Sequence, residues 1–487
     1  MRESQTSHFG LVLAFAGLLW ATVADGQITW RKTYGGFGID VGHSIKQTLD
    51  GGYLALGTTG SFGLGSSDFY LVKLDADGNR EWSSTYGTPS IEQGWSIAQG
   101  VNGYALAGFT SGIGGGYDGM VVLIDDQGVE QWRRTYGSID WDFIYAVAAY
   151  SDGYYLAGQT FSGAENGEEW LIRADLNGDT IWTRTFGTSY GDVARDVKTT
   201  SDGGCIVSGT IGTVDGTTDA ILTKFSSSGD EEWYAVLGGL SNEIGYGVTP
   251  TNDGGYVLGG TTESFSQNKE MFLSKVDADG TFLWSQHIGQ IADWEGRQVG
   301  ERDDGSLMLV GYTEAYGGGG KDAYLLFTDS AGDFLFGRTF GGENNDEGWA
   351  FDRTFDGGVV VVGGNKSSGP GIEGMYVIKS DDQGMTPDPT DYSYFDPLPV
   401  LELTKPTGAT ISPTLISSGQ EMHIKTQGRG TALARISDMR GATQVLLPIE
   451  TGTRTSIRIP DLAPGPYLIS VEQKGQAPVV AKFLVMQ

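Results

Sequence analysis

Residues 30–35 read WRKTYG, and from Trp30 onward a tryptophan returns every 50 to 52 residues. The further anchors of this repeat are Trp82, Trp132, Trp182, Trp233 and Trp284, with Phe336 in the seventh place. Spacing this even indicates one supersecondary unit that is stacked repeatedly. Fold and function are therefore best predicted for the repeat.

Each unit has the pattern of four short antiparallel strands. In the first unit, runs rich in aromatic and β-branched residues fill 30–35, 41–48, 53–59 and 69–74. Between them lie the turn sequences Asp-Gly-Gly at 50–52 and Asp-Ala-Asp-Gly at 75–78. Gly, Asp and Asn tolerate the backbone conformations that tight turns require, so we interpret these carboxylates as turn residues rather than catalytic groups.

These units predict an all-β chain with a seven-bladed β-propeller over residues 27–384. The seventh unit ends at Gly384 without an anchor strand, whereas residues 28–35 form an anchor strand that no hairpin precedes. We therefore expect the N-terminal strand to pair beside residues 375–379 and close the ring. Closure in this way would remove two exposed sheet edges.

The first 26 residues have the pattern of a signal peptide. Arg2 precedes an apolar run over 11–23, and the small residues Ala24 and Gly26 predict cleavage before Gln27. No later stretch has eighteen uninterrupted apolar residues, so we expect a mature protein without a transmembrane segment. Cys205 is the single cysteine, and we expect it to be a buried small side chain. An exported protein with so few cysteines is typical of bacteria.

The net charge of −30 is unevenly distributed. Residues 388–487 contain nine acidic and nine basic side chains, so the whole excess belongs to the first 387 residues. A field of this sign disfavours nucleic-acid binding and favours cations or partners with basic patches. Solubility alone is the alternative explanation.

Two acidic sets recur in register. One stands ten residues after six of the anchors: Asp40, Glu92, Asp142, Asp192, Glu243 and Asp346. The other opens the third strand of each unit: Asp68, Asp118, Glu168, Asp219, Glu270, Asp322 and Glu373. On one face of a propeller they would form a cation site, with Ca²⁺ as the candidate ion, or an acidic docking surface. The alternative is that each carboxylate caps backbone amides or bridges neighbouring blades. No other cofactor is expected.

A more varied set stands thirteen residues after each anchor: His43, Trp95, Tyr145, Arg195, Tyr246, Arg297 and Trp349. These residues begin the innermost strands, and we expect them to ring the mouth of the central channel. Aromatic and hydrogen-bonding groups there would suit stacking on sugars or gripping a peptide, and packing between blades is the alternative. No catalytic residues are predicted, because the mature histidines are far apart and no G-x-S-x-G motif or distinct carboxylate pair stands out.

The C-terminal hundred residues have a different composition. Six of the fourteen prolines fall between 384 and 413, so residues 385–413 are predicted to be a linker. Alternating apolar runs separated by Gly and Pro turns over 414–487 predict a small antiparallel β-sandwich.

This C-terminal region resembles the type A sorting domain of cargo of the type IX secretion system. The matching sequences are SSGQ at 417–420, ISDMRG at 436–441, LAPGPYLI at 462–469 and KFLV at 482–485. The usual Pro-Asn-Pro opening is present only as Ser412-Pro413-Thr414. The resemblance implies export from the periplasm across the bacterial outer membrane by the type IX machinery, followed by release or attachment to the cell surface.

The repeats are similar to secreted bacterial propeller repeats with TYGG and DGGY signatures, which stand here at 33–36 and 50–53. Residues 74–82 are also similar to the tryptophan-docking repeat of quinoprotein dehydrogenases, which have eight blades and often a vicinal cysteine pair. We therefore expect a secreted or cell-surface, non-enzymatic propeller that binds a glycan or a protein. A polysaccharide-degrading or quinone-dependent enzyme with its site at the channel mouth is the alternative. Near-equal unit lengths favour binding, since an enzyme should have one distinct loop.

Overall fold

The computed structural model describes residues 27–111, 116–163, 165–289, 291–369 and 371–387, together with shorter segments between 392 and 486. The described residues form strands and turns and contain no helix, so the predicted all-β class is confirmed. No candidate membrane-spanning helix is therefore found among the described residues. The predicted signal peptide, residues 1–26, lies outside the described residues.

The strands of the repeat region follow one another at short intervals. They are β1 (Trp30–Gly35), β2 (Asp40–Gln47), β3 (Tyr53–Thr59), β4 (Asp68–Leu74), β5 (Arg80–Tyr86), β6 (Glu92–Gly100), β7 (Gly103–Ser111), β8 (Tyr117–Ile124), β9 (Glu130–Tyr136), β10 (Asp142–Tyr150), β11 (Gly153–Thr160), β12 (Glu168–Asp175), β13 (Thr180–Phe186) and β14 (Val193–Thr199). They continue as β15 (Cys205–Gly212), β16 (Thr218–Phe225), β17 (Glu231–Leu237), β18 (Glu243–Pro250), β19 (Tyr256–Thr262), β20 (Glu270–Val276), β21 (Phe282–Ile288), β22 (Trp294–Glu301), β23 (Leu307–Thr313), β24 (Asp322–Thr328), β25 (Phe334–Phe340), β26 (Asp346–Arg353), β27 (Val359–Asn365) and β28 (Gly374–Ser380).

The C-terminal strands are β29 (Tyr392–Phe395), β30 (Ala409–Ser412), β31 (Leu415–Ser417), β32 (Glu421–Thr426), β33 (Gly430–Asp438), β34 (Thr443–Thr451), β35 (Arg454–Arg458), β36 (Gly465–Glu472) and β37 (Val479–Met486).

Strands β2 to β25 form six four-stranded antiparallel sheets in which each strand pairs with the next in sequence. We number them sheet 1 (β2–β5) to sheet 6 (β22–β25). Sheet 7 has the order β26-β27-β28-β1-β29. Its fourth strand is β1, which pairs antiparallel with β28 and places Trp30 opposite Lys379 and Tyr34 opposite Met375. Strand β29 adds a fifth strand parallel to β1.

The first strand of each sheet contacts the first strands of the sheets before and after it, and β26 of sheet 7 contacts β2 of sheet 1. Repeated four-stranded sheets in this arrangement are the architecture of a β-propeller. The middle strands of a sheet are buried along nearly their whole length, as in β4, whereas the outer strand β5 is mostly half-exposed. Each sheet therefore packs on two neighbours. In sheets 1 to 6 the outer strand is the most exposed one, whereas β1 of sheet 7 is buried and pairs with β29.

The anchor tryptophans join neighbouring sheets. The indole N–H of Trp30 donates to the carbonyl of Ala76 at 3.0 Å, in the turn between the third and fourth strands of sheet 1. A Cβ on Gly78 of that turn would lie 2.6 Å from the Trp30 ring, and Gly78 has a φ of 72°. Glycine is required there both by the positive φ and by the close approach of the indole. The even spacing of the anchors follows because each one must meet the turn of the next unit.

The C-terminal strands form two further sheets, sheet 8 with the order β30-β32-β35 and sheet 9 with the order β31-β37-β36-β33-β34. Met422 and Ile457 of sheet 8 share one buried apolar cluster with Ile436 and Ile469 of sheet 9. The pairing differs from the expected purely antiparallel pattern, because β31 runs parallel to β37. These two strands lie at opposite ends of the region, so no hairpin fixes their relative direction.

Two strands, β29 and β30, fall inside residues 385–413, the segment predicted as a linker. Neither strand contains a proline, so both keep the N–H groups that sheet pairing needs. Of the residues that carry the sorting-domain resemblance, 418–420, 439–441 and 463–464 lie outside the described residues.

Candidate ligand-binding site

The first strands of the seven sheets enclose a cavity of about 910 Å³, which we term the channel cavity. All seven first strands contribute side chains to its lining. In sheet 1 the lining runs from His43 to Leu49, toward the Asp-Gly turn, and in sheet 7 it runs from Trp349 to Phe355. A volume of this size falls within the range of small-ligand sites.

The seven predicted site residues occupy one structural position, the extra residue of a β-bulge. In sheet 1 the register between β2 and β3 shifts between Gly42 and Ser44, which leaves His43 without a cross-strand partner. The corresponding shift in the other six sheets leaves out Trp95, Tyr145, Arg195, Tyr246, Arg297 and Trp349. Bulges re-aim side chains, and all seven of these side chains line the channel cavity. We term them the channel ring.

The channel ring lies at the floor of the cavity rather than at its mouth. The lining residues of each first strand begin at the ring position, and none of the described lining residues precedes it. The cavity therefore opens at the Asp-Gly-turn end of the strands. Large side chains meet at the other end, where Trp95 and Trp349 approach within 5.4 Å between ring centroids. A role of these seven residues in ligand binding stays a prediction.

One side of the ring is tightly packed. His43 stacks on Trp95 at 4.2 Å, and Trp349 meets His43 edge-on at 5.1 Å. Arg297 lies 3.5 Å above the Trp349 ring and forms ion pairs with Glu295 at 2.8 Å and Glu347 at 2.7 Å. Burial lowers the pKa of His43 to about 4, with a further contribution from the charge of Arg297, so the imidazole is neutral at pH 7.

The other side of the ring holds Tyr145, Arg195 and Tyr246. The guanidinium carbon of Arg195 lies 4.9 Å from the centroid of the Tyr246 ring, a cation–π contact. The Nε of Arg195 is buried and has no hydrogen-bond partner among the described residues, and the same holds for the indole Nε1 of Trp95. The ring therefore holds two buried donors that no group of the described chain satisfies, Arg195 on this side and Trp95 on the packed side.

The walls of the cavity are basic, in contrast to the chain as a whole. Its lining includes five basic side chains and two acidic ones, although the net charge of the chain is −30. The basic residues are Lys46, Arg195, Lys198, Arg297 and Arg353, and the acidic ones are Asp196 and Asp352. Four of these cations form ion pairs with carboxylates of the described chain, so Arg195 is the basic side chain whose charge favours an anionic ligand.

The first acidic set lies outside this cavity. All six carboxylates are at most 2% exposed, and each accepts a hydrogen bond from the backbone amide four residues earlier. Asp40, for example, accepts from Gly36 at 2.7 Å, and Asp346 accepts from Gly342 at 2.8 Å. These carboxylates cap the loops that lead into the first strands, and they do not form an exposed acidic surface.

Members of the second acidic set lie near the first set across the sheet boundaries. Burial, and to a lesser degree the charge of Glu92, raises the pKa of Asp68 to about 6. Asp322 beside Asp346 has its pKa raised to about 6 for the same reasons. Among the residues that the structure describes, no group of three or more His, Cys, Asp or Glu side chains is placed to hold a metal ion. Calcium binding stays a prediction.

Sequence reasoning missed an aromatic cluster next to the ring. Tyr145 stacks with Phe143 at 6.0 Å, and Phe143 contacts Phe109 at 4.9 Å. Trp141, which is 51% exposed, extends the cluster to the surface. The run Trp141-Asp142-Phe143-Ile144-Tyr145 has no counterpart of similar aromatic content in the other units, and that difference is the signal that could have found it.

Comparison with known proteins shows no family for this chain, and no family model matches it. The regulatory protein FlaEY of Caulobacter vibrioides is 23% identical over 244 residues, which cover 44% of this chain and 25% of FlaEY. The chain thus spans about a quarter of the length of that relative.

Two solved structures have a similar arrangement at low overall similarity. Sqt1 from Chaetomium thermophilum is 10% identical with a TM-score of 0.44, covering 72% of this chain and 99% of Sqt1. A protein of unknown function from Bacteroides caccae is 12% identical with a TM-score of 0.39, covering 59% of this chain and 94% of its own. Likeness at this level identifies no function, which has to be inferred from the channel cavity itself.

Proposed function

We propose that this protein is a secreted or cell-surface, non-enzymatic seven-bladed β-propeller that binds a glycan on the channel ring. The observation that carries the proposal is the break in symmetry at the ring. The loop caps before the first strands have the same chemistry in six sheets, whereas the ring position holds His, Trp, Tyr or Arg. A position that varies while its surroundings repeat is one that the fold alone does not dictate.

We further propose that the propeller spans residues 27–384 and is closed by β1. The antiparallel pairing of β1 with β28 and the contact of β26 with β2 support closure. The outer strand of sheet 7 is then supplied from the opposite end of the repeat region. Such an arrangement ties the two ends of the ring together.

A sugar suits the chemistry of the cavity floor. Trp and Tyr rings offer flat apolar faces for the C–H faces of a pyranose, while nearby donors can meet its hydroxyl groups. A glycosidase is less well supported, because Asp196 and Asp352 of the lining are each ion-paired with a lysine, Lys198 and Lys46. Glycoside hydrolysis needs one carboxylic acid and one carboxylate poised on either side of the scissile bond.

Export is proposed on the signal-peptide pattern and on the sorting-domain resemblance of residues 414–487. The shared apolar cluster of sheets 8 and 9 supports a sandwich in that region. In a bacterium with a type IX secretion system, deletion of residues 414–487 should leave the protein in the periplasm. Unchanged appearance of the truncated protein outside the cell would contradict this part of the proposal.

A glycan array probed with the full chain tests the binding function. We expect binding to a restricted group of glycans, and Tyr145→Ala should weaken it about tenfold because the stacking face is lost. The matched control is Tyr234→Ala on the outer strand β17, where the side chain is 62% exposed. Failure to bind any glycan, together with turnover of a quinone dye, would contradict the proposal and favour an enzyme.

A further inference from the structure

We propose that the glycan bound in the channel cavity carries a carboxylate, and that the guanidinium group of Arg195 binds it. The inference rests on the proposed glycan-binding function and names the chemical class of its ligand. A uronic acid unit is a sugar of this class.

Arg195 is positively charged although part of its guanidinium group is buried. A guanidinium group stays protonated in proteins, so Arg195 cannot relieve its burial by losing a proton. Its Nε is buried and has no acceptor among the described residues. A buried donor without an acceptor is costly, and such groups in native structures call for an explanation. The Arg195 side chain as a whole is only partly buried and lines the cavity, so a ligand can supply an acceptor to its guanidinium group there.

The other cations of the cavity lining already have carboxylate partners. Lys46 pairs with Asp352 at 3.1 Å, and Lys198 pairs with Asp196 at 2.5 Å. Arg353 pairs with Asp303 at 2.7 Å. Arg297, as described above, is held by two glutamates. Within the described ranges, Arg195 is the one cation of the lining without a carboxylate partner.

The indole N–H of Trp95 is a second donor without an acceptor in the described chain. The Nε1 of Trp95 is buried without an acceptor, and the Trp95 ring meets Tyr145 edge-on at 5.7 Å. On the other side of Tyr145, Arg195 is close enough for its charge to lower the pKa of Tyr145 against the raising effect of burial. The two donors therefore flank one tyrosine, on whose face a sugar ring can stack.

The donors of the cavity distinguish a carboxylate from the sulfate and phosphate groups that sugars also carry. A carboxylate is planar and has two oxygens, which match the parallel N–H donors of a guanidinium group. A sulfate ester presents three terminal oxygens in a tetrahedral arrangement, and a phosphate monoester presents three with more charge than a carboxylate. The remaining cations of the described walls are already neutralised by their partners. The donor set therefore suits a carboxylated sugar better than a sulfated or phosphorylated one.

Calorimetric titration of the full chain with an oligosaccharide that ends in glucuronic acid tests the inference. The comparison ligand is the same oligosaccharide with its terminal carboxyl group reduced to the neutral alcohol. We expect the reduced ligand to bind about tenfold or more weakly, as a charge-assisted hydrogen bond is lost. Arg195→Gln should weaken binding of the acidic ligand by a similar factor and abolish the discrimination, and Arg195→Lys should retain part of it.

Arg184→Gln is the matched control. Arg184 lies on β13, the outer strand of the neighbouring sheet 3, where it donates to the carbonyl of Gly229 and packs on Trp182. The substitution makes the same change in net charge outside the cavity and should leave the affinity unchanged. Trp95→Phe keeps an aromatic ring and removes the N–H, so it should weaken binding of the acidic ligand several-fold. Arg195→Lys, and the comparison of the two ligands on the unaltered chain, test the inference even if Arg195→Gln does not fold.

Failure of the carboxylate inference and failure of the proposed glycan binding would give different results. Equal affinity for the acidic and the reduced ligand would overturn the carboxylate inference and leave glycan binding intact. Tighter binding of a sulfated counterpart would also overturn it. Binding of an acidic peptide but of no oligosaccharide would overturn both the inference and the proposed function.

Discussion

In several sheets a buried basic residue on the third strand pairs with the aspartate of the Asp-Gly turn, whereas in sheet 6 Phe327 stands at the basic position and Asp304 has only the turn role. Lys275 pairs with Asp253 at 2.7 Å and Lys224 pairs with Asp202 at 2.8 Å, and both lysines are almost fully buried. In sheet 2 the turn has Asn102 instead, and Leu123 takes the place of the lysine. The turn role of these aspartates could be predicted from sequence. The ion pair could not, because it depends on which third-strand residue faces the turn.

Asp253→Asn is predicted to destabilise the fold by about 1–2 kcal/mol at pH 7, since Lys275 is left buried without its carboxylate. The estimate is modest because the Asp253 side chain is 63% exposed. Hydrogen bonds from Lys275 and Thr251 lower the pKa of Asp253 to about 2. A lowered folded-state pKa contributes stability above the ordinary value near 4, and this contribution is lost as the pH falls toward 2.

Urea unfolding at several pH values measures this effect. The difference between wild type and Asp253→Asn should be largest at neutral pH and should shrink in acid. Asp279→Asn, at an exposed position in the turn between β20 and β21 of the same sheet, is the control and should change stability little. An equal loss at every pH would contradict the ion-pair explanation.

Asp68 is predicted to have the opposite pH dependence. Its folded-state pKa of about 6 lies above the ordinary value, so the folded state retains the proton more readily than the unfolded chain. This carboxyl group therefore favours the folded state in acid, and its contribution falls as the pH rises from about 4 through 6. Asp68→Asn cannot ionise and should reduce that decline by about 1–2 kcal/mol. Melting temperatures at pH 4 and pH 7 check this, and identical pH profiles for the two proteins would refute it.

At the scale of elements, the strands of the repeat could be predicted closely because turn chemistry punctuates them. The first unit was predicted at 41–48, 53–59 and 69–74, and the structure has Asp40–Gln47, Tyr53–Thr59 and Asp68–Leu74. Strand β29 and the seven bulges could not be predicted. Strand β29 forms because β1, which is distant in sequence, leaves a sheet edge with which it can pair. The bulges depend on the cross-strand register, which the sequence of a single strand does not determine.

The contact between an anchor and a turn is testable in sheet 4. A Cβ on Gly229 would lie 2.9 Å from the Trp182 ring, and Gly229 has a φ of 79°. Gly216 has a φ of 80° with nothing within 4 Å of its Cβ position. Gly216→Ala should therefore cost about 1 kcal/mol of backbone strain, and Gly229→Ala should cost about 1–2 kcal/mol more because the indole must move. Equal destabilisation of the two variants in chemical unfolding would contradict the anchor-turn contact.

The proposed closure of the propeller ring depends on the pairing of β1 with β28. Deleting residues 27–35 from a chain that begins at Gln27 should lower the melting temperature markedly, because β28 loses its partner and the turn of sheet 1 loses Trp30 and Tyr34. A synthetic peptide of residues 27–35 should restore part of the loss when added back. The chain that begins at Gln27 with β1 intact is the control. An unchanged melting temperature after the deletion would refute closure by β1.

At the scale of the whole molecule, the sequence indicated all seven ring residues because they share one register position. It did not indicate which of them would be paired. The partners of Arg297 come from its own sheet and from the next one, and the cations of the walls pair with Asp196, Asp303 and Asp352. Arg195 is distinguished only once these pairs are known. The opening of the cavity at the Asp-Gly-turn end likewise depends on how seven sheets converge.

The crystal structure of the full chain with its tightest-binding glycan tests the central claim most directly. We predict electron density for a sugar ring in the channel cavity against Tyr145, with an acidic group in hydrogen-bond contact with Arg195. Density on the outer strands, or on the opposite face beside the buried carboxylates, with an empty channel cavity would contradict the claim.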